Sequence, residues 1–427
     1  MEIGKRLCQS GLTAFALALT ALASGCFWPM PGQGPDRDGH NAADTGITVD
    51  TVVSLHQVWA ASLDGGPAAD PVTSRHGVLA SGARSLHALR AESGEPRWSS
   101  TPAAPLGMLQ PFARDDHVLV GRWDKTATAS DATEDLDVTL TLDAQSGASA
   151  GSPVDGQIVA LRGRFALLWD VTYFPARVGG DFWGASLRVR DLDAGTTLCC
   201  EGLFSLNSPS PPPPAPAPLT LGSDWIFSSG PGINDPDDPT ASFGNGVRGI
   251  SIASPRTCFG LYHCASWGVP IDGSTATAPV LGDGQRTVYV GTDAGTVYAV
   301  DVTSASVLWS KSVGSAVTDS PALAGGSLFV PTASGALVAL DAETGAHQWA
   351  GSADSKITQQ PAVAGGVVFT GSVDGTVAAF DAAGCGATLC PRLWARSIGS
   401  AITGAPAVSA GHVYVGTADG RVVAFGT

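Results

Sequence analysis

The stretch Ala339-Leu340-Asp341-Ala342-Glu343-Thr344-Gly345-Ala346-His347-Gln348-Trp349 decides the fold. An apolar run ends in an Asp, a short turn carries a Gly, and a Trp follows eight residues after the Asp. The same order returns at Ala299, Asp301 and Trp309, with Ala305 in the Gly place, and at Asp381 and Trp394 with a longer turn. Ala88, Gly94 and Trp98 repeat it early in the chain, with Arg90 in the Asp place. Each residue type has a mechanical reason to be there. The Asp side chain ties down turn N–H groups, the Gly lets another group approach closely, and the Trp buries a large apolar face. Asp301, Asp341, Asp381, Trp98, Trp309, Trp349 and Trp394 therefore read as architecture, not as chemistry.

Working outward, the apolar segments beginning at Val288, Leu328, Val368 and Val413 are spaced by 40, 40 and 45 residues, and Pro279, Pro321, Pro361 and Pro406 open the units. Runs of four to six apolar residues between Gly turns are strands, and Asp374-Gly375 and Asp419-Gly420 suit tight hairpins. One such meander cannot cover both its faces, so copies must stack, and a ring removes the exposed ends. The expectation is an all-β, eight-bladed β-propeller of four-stranded antiparallel blades. The middle units are weaker: Val118–Gly121 with Asp143 and Gly147, Ala166–Leu168 with Asp191 and Cys199 in the Trp place, and Trp225–Phe227 with Trp267. Counting one unit fewer would give seven blades.

The two ends complete each other. The last unit stops at Val422-Val423-Ala424-Phe425, before its Trp strand, whereas Leu55-His56-Gln57-Val58-Trp59 is a Trp strand with no unit before it. The N-terminal strand, carrying Trp59, is expected to finish the C-terminal blade.

Composition agrees. The 427 residues include 54 Gly and 29 Pro, and only 14% are charged, which favours turns and short buried strands over helices. With 23 basic against 38 acidic residues the net charge is -15. A surface of that sign repels polyanions, so nucleic acid and direct adsorption to an anionic membrane are excluded as functions.

Lys5 and Arg6 precede an apolar run from Leu12 to Ala23, the pattern of an export signal and too short for a span of roughly 20 residues. The run ends Leu22-Ala23-Ser24-Gly25-Cys26, which resembles a bacterial lipobox. The resemblance implies a signal peptide over 1–25, lipidation of Cys26, and, with Phe27 next, attachment to the outer membrane, facing the periplasm or the cell surface. Residues 26–50, rich in Pro, Gly and Asp as far as about Thr48, read as a flexible tether, and 51–427 as the propeller.

The pattern of Ala339, Asp341, Gly345 and Trp349 resembles the Trp-docking repeat of pyrroloquinoline quinone (PQQ) dehydrogenases, shared by non-catalytic propellers such as the BamB-like lipoproteins of outer-membrane protein assembly. Of the cysteines beyond Cys26, Cys258 with Cys264 and Cys385 with Cys390 lie in corresponding places before a Trp. Export to an oxidising compartment makes each pair a candidate disulfide; a zinc site lacks further ligands at useful spacing. Cys199-Cys200 resembles the adjacent-cysteine disulfide of PQQ alcohol dehydrogenases, but the match stops at the two sulfurs, and a structural vicinal pair, or pairing of either cysteine elsewhere, is the plainer reading.

Catalysis with PQQ would need calcium on carboxylate oxygens, a carboxylate base and basic groups for the quinone carboxylates in the central funnel. No such set, no Ser–His–carboxylate arrangement and no phosphate-binding loop is legible. Asp235, Asp237 and Asp238 are interrupted by prolines and read as a solvated loop. The expected protein is therefore a monomeric, lipid-anchored, non-catalytic propeller without cofactor. It would bind envelope proteins, in the BamB-like version an outer-membrane assembly complex, through the irregular middle at Lys125–Asp137 and Ser208–Asn245. The alternatives are a PQQ- and calcium-dependent dehydrogenase and a glycan-binding surface propeller.

Overall fold

A computed structural model describes residues 27–82, 84–101, 110–123, 137–174, 182–199, 204–206, 219–230, 245–252, 266–275 and 277–427. The described strands form eight sheets, each with an antiparallel meander of four strands at its centre. In chain order their innermost strands are Val72–Ser74, Pro111–Arg114, Gln157–Arg162, Thr220–Leu221, Val280–Leu281, Ala322–Ala324, Ala362–Ala364 and Ala407–Ser409, here blades 1 to 8. The protein is an eight-bladed β-propeller, as the repeat requires.

Blade 8 takes its outer strand from the other end of the chain. His56–Ser62 pairs antiparallel with Arg421–Gly426, bringing Trp59 opposite Ala424. The other intact blades set Trp98 opposite Ala88, Trp309 opposite Ala299, Trp349 opposite Ala339 and Trp394 opposite Ala379. The Ala of the repeat is thus the small residue facing the Trp across the strand pair. In blade 3, Cys199 occupies that backbone register opposite Val189.

Each Trp docks on the next blade. A Cβ on Gly345 of blade 6 would come within 2.6 Å of the Trp309 ring of blade 5. Gly345 also has φ +71, so this position needs glycine twice over. The same docking places Trp59 on Gly94, Trp98 on Gly147 and Trp349 on Gly384. Where the repeat has Ala305 instead, that residue takes φ +51 and packs in one cluster with Trp267. Indole N–H groups reach across: Trp59 donates to the Ala91 carbonyl at 2.8 Å, Trp98 to Ala144 at 3.0 Å, Trp309 to Ala342 at 3.1 Å and Trp394 to Leu55 at 3.0 Å. The repeat Asp residues hold the receiving turn: the Asp341 carboxylate accepts from the Thr344 N–H at 2.8 Å, Asp301 from Ser304 at 2.6 Å and Asp381 from Ala383 at 2.9 Å.

Cys385 and Cys390 are disulfide-bonded, with Cα atoms 5.6 Å apart. Their loop leaves blade 7 and lies on the outer strand of blade 6, where Ala350 N–H donates to Thr388 at 2.9 Å and Cys390 N–H to Ala350 at 2.8 Å. It covers an edge that would otherwise be open. Cys26, Cys200, Cys258, Cys264, the three Asp from 235 to 238, most of the insertion at 125–137 and most of 208–245 lie outside the described residues.

If ring closure rests on the shared blade, Trp59→Ala will lower unfolding stability by about 3–5 kcal/mol, the usual loss for a buried Trp, read as a shift in the urea midpoint.

Candidate functional site

The central channel is the concave feature on which all eight blades converge, and its lining follows from the repeat. The innermost strand of each blade has no neighbour toward the axis, so its N–H groups would be left unpaired. Residues two after the blade-opening Pro, namely Thr73, Ala113, Leu281, Leu323 and Val363, occupy one equivalent position in blades 1, 2, 5, 6 and 7. All five point their N–H at the chain's own N-terminal segment. Thr73 donates to the Trp28 carbonyl at 2.7 Å, Ala113 to Pro29 at 2.7 Å, Leu281 to Asp36 at 2.9 Å, Leu323 to Asp38 at 2.7 Å and Val363 to Gly39 at 2.7 Å. In blade 8 the equivalent residue, Val408, accepts from the Asn41 amide at 2.9 Å.

Residues 28–41 therefore wind once around the inside of the ring, their main-chain carbonyls meeting blades 1, 2, 5, 6 and 7 in order. Blades 3 and 4 are reached by a side chain: Arg37 donates from Nε to Leu219 O at 2.7 Å and from Nη2 to Val159 O at 3.0 Å. The belt is buried. Trp28 and Met30 are each 2% exposed and Ile47, beyond the belt, is 1% exposed, and His40–Asn41 adds a parallel strand to blade 7. The reading of 26–50 as a flexible tether does not hold for the described residues from Phe27 on. Its composition lacks apolar periodicity because the segment is held mainly through its backbone, and backbone hydrogen bonds leave little trace in side-chain pattern.

The channel is also charged. Asp70 precedes the inner strand of blade 1 and accepts from the Ala405 N–H at 2.8 Å; Asp319 stands at the same end of blade 6 and accepts from Ser320 N–H at 2.6 Å. Gln360 donates to the carbonyls of Arg37 at 2.7 Å and Pro321 at 2.9 Å. Burial lowers the Arg37 pKa, opposed by the charges of Asp70 and Asp319. Burial raises Asp70, and burial reinforced by the Asp70 charge pushes Asp319 up to about 7. Asp36 is ion-paired with Arg162 of blade 3. Beside it a cavity of about 500 Å³ opens between blades 4 and 5, lined by Asp36, Asp38, Asp224, Trp225 and Gln285 among others.

The docking residues lie between blades, away from this channel. The channel residues Arg37, Asp70, Asp319 and Gln360 were not singled out by sequence. The pattern that could have found them is the polar residue immediately before, or two before, a blade-opening Pro. Asp70 and Gln360 directly precede Pro71 and Pro361, and Asp319 stands two before Pro321.

Known proteins resemble the chain in this architecture. The family model described as outer membrane protein assembly factor BamB matches residues 50–164 and 265–356, together just under half of the chain. No curated protein sequence matches significantly. A quinohemoprotein alcohol dehydrogenase from Pseudomonas putida HK5 superposes with a TM-score of 0.68 at 14% identity, covering 96% of this chain and 82% of that one. BamB from Moraxella catarrhalis gives 0.56 at 15%, covering 87% and 100%. A computationally designed protein gives 0.58 at 16%, covering 87% and 99%. The chain is a PQQ-like β-propeller, and at these identities the solved structures show the fold alone.

Among the described residues, the channel lining does not fit PQQ with calcium. A guanidinium and two carboxylates are there, but Arg37 belongs to the belt and is engaged by two backbone carbonyls. The belt itself lines the inner wall of the channel. Among the described residues no group of three His, Cys, Asp or Glu side chains is placed to hold a metal.

An acid whose folded pKa is raised contributes its stability below its unfolded value and loses it as pH climbs through the folded value. Asp319 should therefore cost stability between pH 4 and pH about 7 and above. Asp319→Asn retains an acceptor for Ser320. It should match the native protein near pH 4 and exceed it at pH 8 by roughly 1–3 kcal/mol, measured by urea unfolding at the two pH values.

Proposed function

We propose that this PQQ-like propeller is a non-catalytic scaffold of the bacterial envelope, anchored by lipid on Cys26 and binding envelope proteins in the manner of a BamB-like factor. The observation that supports the reading is the belt. A propeller enzyme keeps its axis for cofactor and substrate, whereas here the axis is lined by the chain's own residues 28–41 with hydrogen bonds to all eight blades. Function is then left to the outer surfaces, and the loops of the irregular middle are the place to look for it. The match to the BamB-described family model over 50–164 and 265–356 supports the same class.

The belt also changes what the anchor does. Trp28 is fixed to blade 1 through both its N–H, which donates to Thr73 Oγ1 at 2.6 Å, and its carbonyl. Two residues extend at most about 7 Å, so acyl chains on Cys26 would leave the protein close to the channel wall. The ring is held against the bilayer instead of ranging at the end of a tether, and its partners are limited to those that reach the remaining faces.

Two measurements test the proposal. Membrane fractionation of cells expressing the full chain should find it in the outer membrane, and Cys26→Ser should release most of it to the soluble fraction, since stable attachment needs more than one lipid or electrostatic contact. Cross-linking in intact cells followed by mass spectrometry should recover outer-membrane assembly components. Unchanged fractionation of Cys26→Ser overturns the anchor. Dye reduction with alcohols or sugars after adding PQQ and Ca²⁺ overturns the non-catalytic reading.

A further inference from the structure

The blades are complete without the belt. Each has its own four-strand meander; the belt's main-chain hydrogen bonds fall along the axial edge, while Trp28 and Met30 reach into apolar clusters between blades. Five of its contacts are the same contact repeated: an N–H two residues after a blade-opening Pro, donating to a main-chain carbonyl at 2.7–2.9 Å. In blade 7 this is strand addition, with His40–Asn41 paired parallel to Val363–Ala364; in blades 1, 2, 5 and 6 a single main-chain hydrogen bond pins the segment to each open edge. In such peptide binding the main chain supplies affinity and a few side chains supply selectivity. The selective elements are compact. Trp28 and Met30 enter apolar clusters at one end. Arg37 bridges the two blades the main chain does not reach, with Asp70 and Asp319 nearby in charge range and Gln360 fixing its carbonyl. Buried charge of this kind is weak evidence for stability, because desolvation consumes much of the attraction, but it discriminates well between occupants.

We infer that the channel is a recognition site for a turn-rich, arginine-bearing polypeptide segment, and that residues 28–41 are its resident occupant. The inference goes beyond the scaffold role and is independent of whether Cys26 is lipidated. A bound segment dissociates as a unit, whereas a core strand comes out only when the ring unfolds.

Hydrogen exchange on the intact full chain separates the two. Under native conditions the N–H groups of Thr73, Ala113, Leu281, Leu323 and Val363 should exchange together, at least 100-fold faster than the second strands of the same blades. Arg37→Ala should accelerate that set by a further tenfold or more and leave the second strands unchanged. A second measurement uses a protease site placed between the exposed Ala42 and Ala43. After cleavage, a fluorescent peptide with the sequence of residues 27–42 should exchange into the channel, and the same peptide with Arg37→Ala should bind at least tenfold more weakly. Exchange of the five amides only with the second strands overturns the inference, as does a cleaved, folded ring that takes up no labelled peptide or binds both peptides equally.

Discussion

The four firmest joints of this ring depend on a flat indole lying against a residue without a side chain. The Trp309 ring sits where a Cβ of Gly345 would be, and the other docked pairs repeat the arrangement from blade to blade. Such a contact removes a large apolar area from water, and the indole N–H is satisfied on the next blade's backbone where Trp59, Trp98, Trp309 and Trp394 reach a carbonyl. Trp349 is different: its N–H has no partner, and the turn it meets is the one lengthened by the Cys385–Cys390 loop. That loop compensates by adding backbone bonds to the edge of Trp349's own strand. A local loss in the docking contact and a local covalent clip occur at the same joint.

Docking fixes the blades side by side, and side-by-side blades create a second demand. The innermost strands are all edge strands, and their donors face one another across the axis. Water, a ligand or a loop can satisfy them. This chain uses its own N-terminal residues, and geometry explains why the segment must be poor in bulky side chains. Gly39 approaches the Pro361 carbonyl so closely that a Cβ would lie 2.7 Å from it, and Gly32 packs on Gln360 and Arg37. The Gly, Pro and Asp content that suggests a linker is what a segment threading a narrow, hydrogen-bonding channel requires.

The contrast explains what could be read from sequence. Blade number, strand order and closure by His56–Ser62 were legible because side-chain identity carries them. Ala, Asp, Gly and Trp recur at fixed spacing for reasons of packing, and the missing Trp strand at Phe425 has a complement at Trp59. Even Cys199 fell in the register of the Trp it replaces. The belt was illegible because its bonds run through the main chain, and any residue has an N–H and a carbonyl. Its only side-chain signals were Trp28 and Met30, large apolar residues where a solvated linker has no use for them.

The charges in the channel connect these levels. Asp70 and Asp319 sit at the start of inner strands, where backbone N–H groups of Ala405 and Ser320 meet them, yet burial still drives both pKa values upward. A ring designed only for stability would place neutral residues there. Their cost is offset in part by Arg37, whose own charge is disfavoured by the same burial. Neither the belt nor the ring has a comfortable electrostatic state alone: without Arg37 the carboxylates repel each other, and without the carboxylates the guanidinium lies among carbonyls with no counter-charge from the ring. The two therefore define each other, and the register of the belt is set by where its one arginine can lie between Val159, Leu219 and the two acids.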